Sequence, residues 1–264
     1  MLSKSKKLKL LISLKTYVKK FLNNKITELD ESGTRLMIND FLLNTLGYLP
    51  IEEIKTEYMI RGTYADYVIQ IKGVRHFLIE VKALSIQLSE NHLRQAINYG
   101  ANEGIDWVLL TNGRNFDFYK VIFNKPIEAK KIFSIDLSNS AKLKENAEFI
   151  EFLHRDSVLH KGLDLLWNKT EALNPEYIAG YLYDSTITNF IKRNLKKKFK
   201  AQFTDEEICN SINKIIANEI SLEKIKTVKI HKVNKKKIDD NKITLNNAVN
   251  TNKNTEIQEN NQNC

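Results

Sequence analysis

The sequence predicts an α/β protein: a mixed β-sheet core flanked by helices, followed by an α-helical domain and a disordered tail. Three observations predict it. Between residues 65 and 123, short β-prone runs and strong turn pairs surround a single helix-period segment. After Asp136 the apolar spacing becomes helical throughout. From about Thr227, lysine and asparagine dominate and periodicity fades, the composition of a segment that cannot bury a core. These shifts set four regions: a basic amphipathic helix at 1–25, the sheet core at 26–138, a helical domain at 139–226 and a polar tail at 227–264.

Residues 5–24 read as the amphipathic helix, with Leu8, Leu11, Ile12, Val18 and Leu22 near helical spacing. A second helix is expected over 34–46, started by Ser32 or Gly33, or from as early as Glu28, and stopped by Gly47. Residues 67–71 and 76–83 read as strands of a hairpin turning at Lys72-Gly73. Residues 88–100 read as a helix broken by Gly100 and Gly104. Residues 107–111 form a fully apolar strand suited to burial on both faces. Asn112-Gly113 turns the chain into another strand at 116–123. Helices follow near 142–154, 157–169, 175–199 and 204–219; Asn174-Pro175 and the run from Phe203 to Glu206 look like helix starts.

Composition narrows the classes. The chain has 264 residues, 42% hydrophobic and 28% charged, enough for a real core. No run approaches the ~18 apolar residues of a membrane span, so no membrane role is expected and a cytoplasmic location is the default. Two cysteines, Cys209 and Cys264, leave out a disulfide-rich scaffold and a cysteine zinc site. The net charge of +9 divides unevenly: +8 over residues 1–27, −6 over 28–190 and +7 over 191–264. An acidic middle between basic ends suits a domain with its own acidic site beside phosphate-binding arms; it also suits lysines that decorate solvated helices.

The segment that carries chemistry runs from Asp66 to Lys82. On a strand, side chains alternate faces, so Phe77, Ile79, Val81 and Ala83 look one way while Leu78, Glu80 and Lys82 look the other. A carboxylate and an ammonium thus stand side by side on a strand otherwise built for burial. The hairpin returns Asp66 to the same end of the sheet. Two converging carboxylates repel, and a divalent cation such as Mg²⁺, which favours carboxylates, water and phosphate oxygens, relieves that repulsion. A nearby lysine can position a water or offset charge on a phosphate. The alternative is a plain Glu–Lys salt bridge on an exposed edge strand. On the next helix Gln95 and Tyr99 are four apart and share a face.

Asp66 with Glu80-Val81-Lys82 resembles the PD-(D/E)XK nuclease motif, and Gln95 with Tyr99 resembles the extra motif of one subgroup. The longer series is similar to the N-terminal nuclease domain of type I restriction enzyme R subunits, over about residues 26–136. It comprises Glu31-Ser32-Gly33-Thr34-Arg35, Leu46-Gly47-Tyr48, Asp66-Tyr67, Ile79 to Lys82, Gln95, Tyr99 and Leu110-Thr111-Asn112-Gly113. The resemblance implies a restriction-endonuclease-like core and a Mg²⁺ (or Mn²⁺) dependent DNA endonuclease of restriction, defence or mobile-element type. It implies metal ligands at Glu31, with Glu28 as a rival, Asp66, Glu80 and the Val81 carbonyl. Lys82 would be catalytic, and Gln95 and Tyr99 would orient Lys82 or approach DNA. Ala65 stands where the motif has proline.

No Gly-x-x-x-x-Gly-Lys-Ser/Thr loop occurs, so no ATP-driven motor is expected and the resemblance is to a stand-alone form. The five histidines form no metal-binding pattern and read as surface or core residues. Lys192, Arg193, Lys196, Lys197 and Lys198 are candidate phosphate contacts, as is Arg114 after the Asn-Gly turn. DNA, other restriction or defence subunits and a second copy of the chain are the expected partners. The rival function is a non-catalytic nucleic-acid-binding or assembly module on the same fold.

Overall fold

The computed structural model describes residues 2–23, 28–60 and 63–217. The tail expected at 227–264 and the last part of the helical region therefore lie outside the described residues. The chain divides into two compact units, the first running to Glu171 and the second beginning at Ala172.

The first unit is built on a six-stranded sheet whose spatial order follows the chain, β1 (Ile54–Ile60), β2 (Thr63–Ile71), β3 (Val74–Val81), β4 (Trp107–Thr111), β5 (Asn115–Ile122) and β6 (Glu128–Asp136). Every neighbouring pair is antiparallel except β3 and β4, which are parallel. A parallel pair needs a crossover, and α3 (Glu90–Glu103) supplies it. The mixed sheet with flanking helices is the architecture expected from the sequence.

Both faces are covered. On one face Phe77, Ile79, Val81, Leu109, Phe116 and Phe118 meet Leu10, Leu14 and Tyr17 of α1 (Lys4–Phe21) and Met37 and Ile38 of α2 (Glu31–Asp40). On the other, Val68, Leu78, Val108 and Leu110 pack against Leu93, Ala96 and Tyr99 of α3. The alternation along β3 thus divides its apolar residues between two cores. Helices α4 (Leu143–Leu153), α5 (Arg155–Leu159) and α6 (Gly162–Ala172) follow β6. Leu143, Ile150, Leu153, Val158, Leu163 and Leu166 enter the same core as α1.

Several local expectations are corrected. Two strands, β1 and β6, were not expected. Asp30, not Ser32 or Gly33, caps α2, its Oδ1 accepting from Gly33 N at 2.7 Å. α2 continues into a π-helical turn, Phe41–Thr45, before Gly47 at φ 76° ends it. Gly100 does not break α3. It lies inside the helix, where an added Cβ would meet Ile105 O at 2.6 Å, and Gly104 at φ 65° makes the left-handed cap. In the second unit the single helix expected at 175–199 is two, α7 (Pro175–Tyr181) and α8 (Ser185–Phe199), because Asp184 caps a new start. α9 (Asp205–Ile216) opens with a capping box between Thr204 and Glu207.

Candidate active site

The hairpin register decides the geometry. Tyr67 pairs with Ile79, so Asp66 falls opposite Glu80 on the face toward α3. β3 is buried from Phe77 to Val81, which leaves the Glu80 carboxylate only 2% exposed, and Asp66 is 8% exposed. Beyond Val81 the chain keeps its pairing long enough for Lys82 N to donate to Thr111 O at 2.8 Å, which fixes Lys82 beside Glu80. Lys82 Nζ then donates to Glu80 Oε1 at 2.7 Å.

α2 closes the site from the other side. Leu84 N donates to Leu29 O at 3.1 Å, tying the segment after β3 to the residue before the α2 cap. Glu31, in the first turn of α2, is thereby brought to 3.8 Å from Lys82 Nζ. Glu28, the rival acid, is exposed and lies outside the helix. One turn beyond Glu31, Arg35 places Nη1 at 3.3 Å from Asp66 Oδ1. Asp66 Oδ2 accepts from Val81 N at 2.7 Å.

Burial governs the electrostatics. Removal from water pushes the Glu80 carboxyl up to about 7, against the pull of the Lys82 hydrogen bond and with help from the Asp66 charge. Burial likewise raises Asp66, while the Val81 N–H and the Arg35 charge oppose the rise. Burial alone would lower Lys82, but its hydrogen bond to Glu80 and the charges of Glu80, Glu31 and Asp66 outweigh it and raise the ammonium. Lys82 therefore stays protonated and acts as a donor. Glu80 Oε2 is buried with no hydrogen-bond partner. An orphaned carboxylate oxygen beside a second buried acid is a position a cation would satisfy. No group of three His, Cys, Asp or Glu side chains among the described residues is placed to hold a metal. The fit therefore rests on Asp66 and Glu80, with Glu31 at the rim and backbone carbonyls to complete a ligand set.

α3 adds Gln95 and Tyr99. Gln95 Nε2 donates to the Tyr99 hydroxyl at 2.8 Å rather than to Lys82. Asn112 acts through the loop after Lys82: its side-chain amide donates to Ile86 O at 2.9 Å while its Oδ1 accepts from Asn115 N at 2.7 Å. Arg114 occupies the β4–β5 turn, half-buried with Nε unpaired, and makes no ion pair with Asp66 or Glu80. In the second unit Lys192 pairs with Asp205 at 2.6 Å. Arg193, Lys196, Lys197 and Lys198 make no ion pair among the described residues, and Lys196 to Lys198 fill the last turn of α8.

Three residues at the site were not foreseen. Arg35 was legible only as a motif letter, although its i, i+4 spacing from Glu31 marks a shared helix face. Glu57 would stand opposite Asp66 on β1, but it takes φ 48°, drops out of the pairing and sends its carboxylate to 3.5 Å from Arg35 Nη1. His92, an ordinary histidine by its sequence pattern, lies close enough to feel both Lys82 and Glu31, and its buried Nδ1 lacks a partner. Its spacing to Gln95 and Tyr99, three and seven residues on, puts it on their helix face.

A mixed sheet whose buried end gathers two acids and a lysine, faced by a third acid on a helix, defines an α/β domain with one concentrated charged site. Residues 30–135 match the family model of the type I restriction enzyme R protein N terminus. The match runs from the α2 cap into the last residues of β6 and contains Glu31, Asp66, Glu80, Lys82, Gln95 and Tyr99. No curated protein and no solved structure gives a significant match.

Proposed function

We propose that this protein is a divalent-cation-dependent nuclease that hydrolyses DNA phosphodiester bonds in a restriction or defence setting. The family matched over residues 30–135 points to a restriction-type nuclease role with DNA and restriction-system partners. The observation that carries the finer reading is the convergence of Asp66, Glu80 and Lys82 at one sheet end, with an unsatisfied, buried Glu80 oxygen. Asp66, Glu80 and the Val81 carbonyl would hold Mg²⁺ or Mn²⁺, with Glu31 beside them. Such an ion supplies charge stabilisation at the phosphate and lowers the pKa of bound water.

The chain's own groups do the rest. Lys82, held protonated, donates to a phosphate oxygen or to the attacking water and offsets the developing charge. Gln95 and Tyr99 present a paired amide and hydroxyl from α3 toward the approaching strand. The basic end of α8 grips further phosphates of the duplex. Cutting both strands of a duplex calls for two sites, hence a homodimer. None of the described helices is long and apolar enough to cross a membrane, and a cytoplasmic location is part of the proposal.

The test is cleavage of plasmid DNA with Mg²⁺ or Mn²⁺. Wild type is expected to cut, and Lys82→Ala and Asp66→Ala to lose at least about 100-fold in rate. Equal cutting by the variants would sink this mechanism. One observation favours a second reading. Glu80 and Asp66 are already countered by Lys82 and Arg35 without any cation, as a non-catalytic nucleic-acid-binding module would require. Steeply salt-dependent DNA binding that survives Asp66→Ala, with no cutting under any metal, would favour it.

A further inference from the structure

The proposed hydrolysis leaves Arg35 without a task, yet its guanidinium stands at the rim of the acidic pocket. It is held there weakly. Both of its ion pairs run from the same nitrogen, Nη1, at 3.3 Å to Asp66 Oδ1 and 3.5 Å to Glu57 Oε1, and neither is aligned as a hydrogen bond. Lys82, by contrast, is committed to Glu80 at 2.7 Å. A guanidinium carries five N–H donors in a planar fork, so two long contacts leave most of its capacity unused.

Its backbone is firmly fixed. The Tyr67 hydroxyl donates to Arg35 O at 2.7 Å, and the residue lies within the body of α2. The side chain is the movable part. Its outer partner is unusual too. The Glu57 side chain is 74% exposed, on a residue whose φ of 48° takes it out of the β1–β2 pairing. A non-glycine residue in this conformation is strained. This break in the pairing puts a solvent-facing carboxylate beside a cation that already faces a buried one.

We propose that Arg35 is a phosphate-binding residue of this site, stored on Asp66 and Glu57 until a nucleic-acid phosphate takes its fork. The substrate class rests on the nuclease reading; the assignment of Arg35 rests on the two ion pairs. Asp66 keeps its Val81 N–H when Arg35 leaves, and Glu57 returns to water, so the exchange strands no buried donor. A phosphate accepts the fork bidentately, which neither present contact does.

The experiment measures binding of a short fluorescent DNA duplex by anisotropy, without divalent ions so that nothing is cut, across a salt series. Arg35→Gln is expected to weaken binding about tenfold and to flatten the log K against log salt slope by about 0.9, the share of one neutralised phosphate. Arg35→Lys should keep the slope and recover only part of the affinity, because the fork is gone. Glu57→Gln should tighten binding in the wild-type background and not in the Arg35→Gln background, since the release acts through Arg35. An unchanged slope in Arg35→Gln, or equal tightening by Glu57→Gln in both backgrounds, overturns the proposal. If Arg35→Gln does not fold, Arg35→Lys decides: an affinity equal to wild type, with no loss from removing the fork, overturns the proposal. If wild type neither binds nor cuts duplex DNA, the nuclease reading fails and this proposal fails with it. If wild type binds and cuts while the slope ignores Arg35, only the Arg35 assignment is lost.

Discussion

Glu80 is the residue in which fold and function conflict most directly. The strand needs an apolar side chain there, and the chain supplies a carboxylate that is 2% exposed. In the folded, metal-free protein Glu80 keeps its proton up to about pH 7, against an ordinary value of 4.5. Between those values the folded state binds more protons than the unfolded one. Stability therefore falls as pH rises through that window, and the whole penalty is present above about pH 7. Glu80→Gln is expected to flatten this dependence and to raise stability at about pH 8 by about 2 kcal/mol, measured by urea denaturation of metal-free protein. A pH profile identical to wild type would contradict the burial argument. The residues that make this conflict were legible in advance, because strand alternation and one hairpin turn suffice to bring Asp66, Glu80 and Lys82 together. Arg35, Glu57 and His92 were not. Their positions depend on how α2 and α3 dock and on the positive φ of Glu57 within β1, none of which has a local signature.

At the scale of elements, the same division holds. The central strands β2 to β5 were readable because both of their faces are apolar or alternate cleanly. The edge strands β1 and β6 were missed because edges are half-solvated and carry charge, which blunts the β pattern and protects against edge pairing. Lys55 and Glu57 interrupt β1, and Lys130 and Lys131 interrupt β6. What anchors β1 is a polar contact from far along the chain. Glu53, just before the strand and 5% exposed, accepts from Arg155 Nε at 2.6 Å and Nη2 at 2.8 Å. Arg155 opens α5, and its backbone N donates to Leu46 O at 3.0 Å. This bidentate pair joins the sheet edge, the turn after α2 and α5 at one point. Arg155→Ala would leave Glu53 buried without its cation, and a loss of about 3 kcal/mol in chemical denaturation is expected. Glu53→Gln with Arg155→Met together should cost much less, because no lone charge is stranded. If the single and double variants are equally destabilised, the joint is merely packing.

For the whole molecule, the net charge of +9 is a sum of unlike parts, and the structure separates parts that the sequence treated alike. The basic first helix is not a free arm. Lys6, Lys7 and Lys20 are paired with Asp156, Glu151 and Asp40, so three of its seven lysines hold α1 to the rest of the unit. The end of α8 differs. Lys196, Lys197 and Lys198 have no acidic partner among the described residues, and they sit at a helix C-terminus, where the macrodipole also favours cations. Dipole stabilisation and phosphate binding make different demands. The first is worth under about 1 kcal/mol and shows in helix stability; the second shows only when DNA is present. Replacing all three lysines by glutamine in the full chain should flatten the salt dependence of duplex binding by up to about 0.9 for each phosphate no longer neutralised, with helix content by circular dichroism nearly unchanged. Lys192→Gln should leave that slope nearly unaltered, because Lys192 is already engaged with Asp205. A triple variant that loses helix content but keeps the slope would assign these lysines to the stability of α8 alone, and the acidic site would then have to draw its substrate without them.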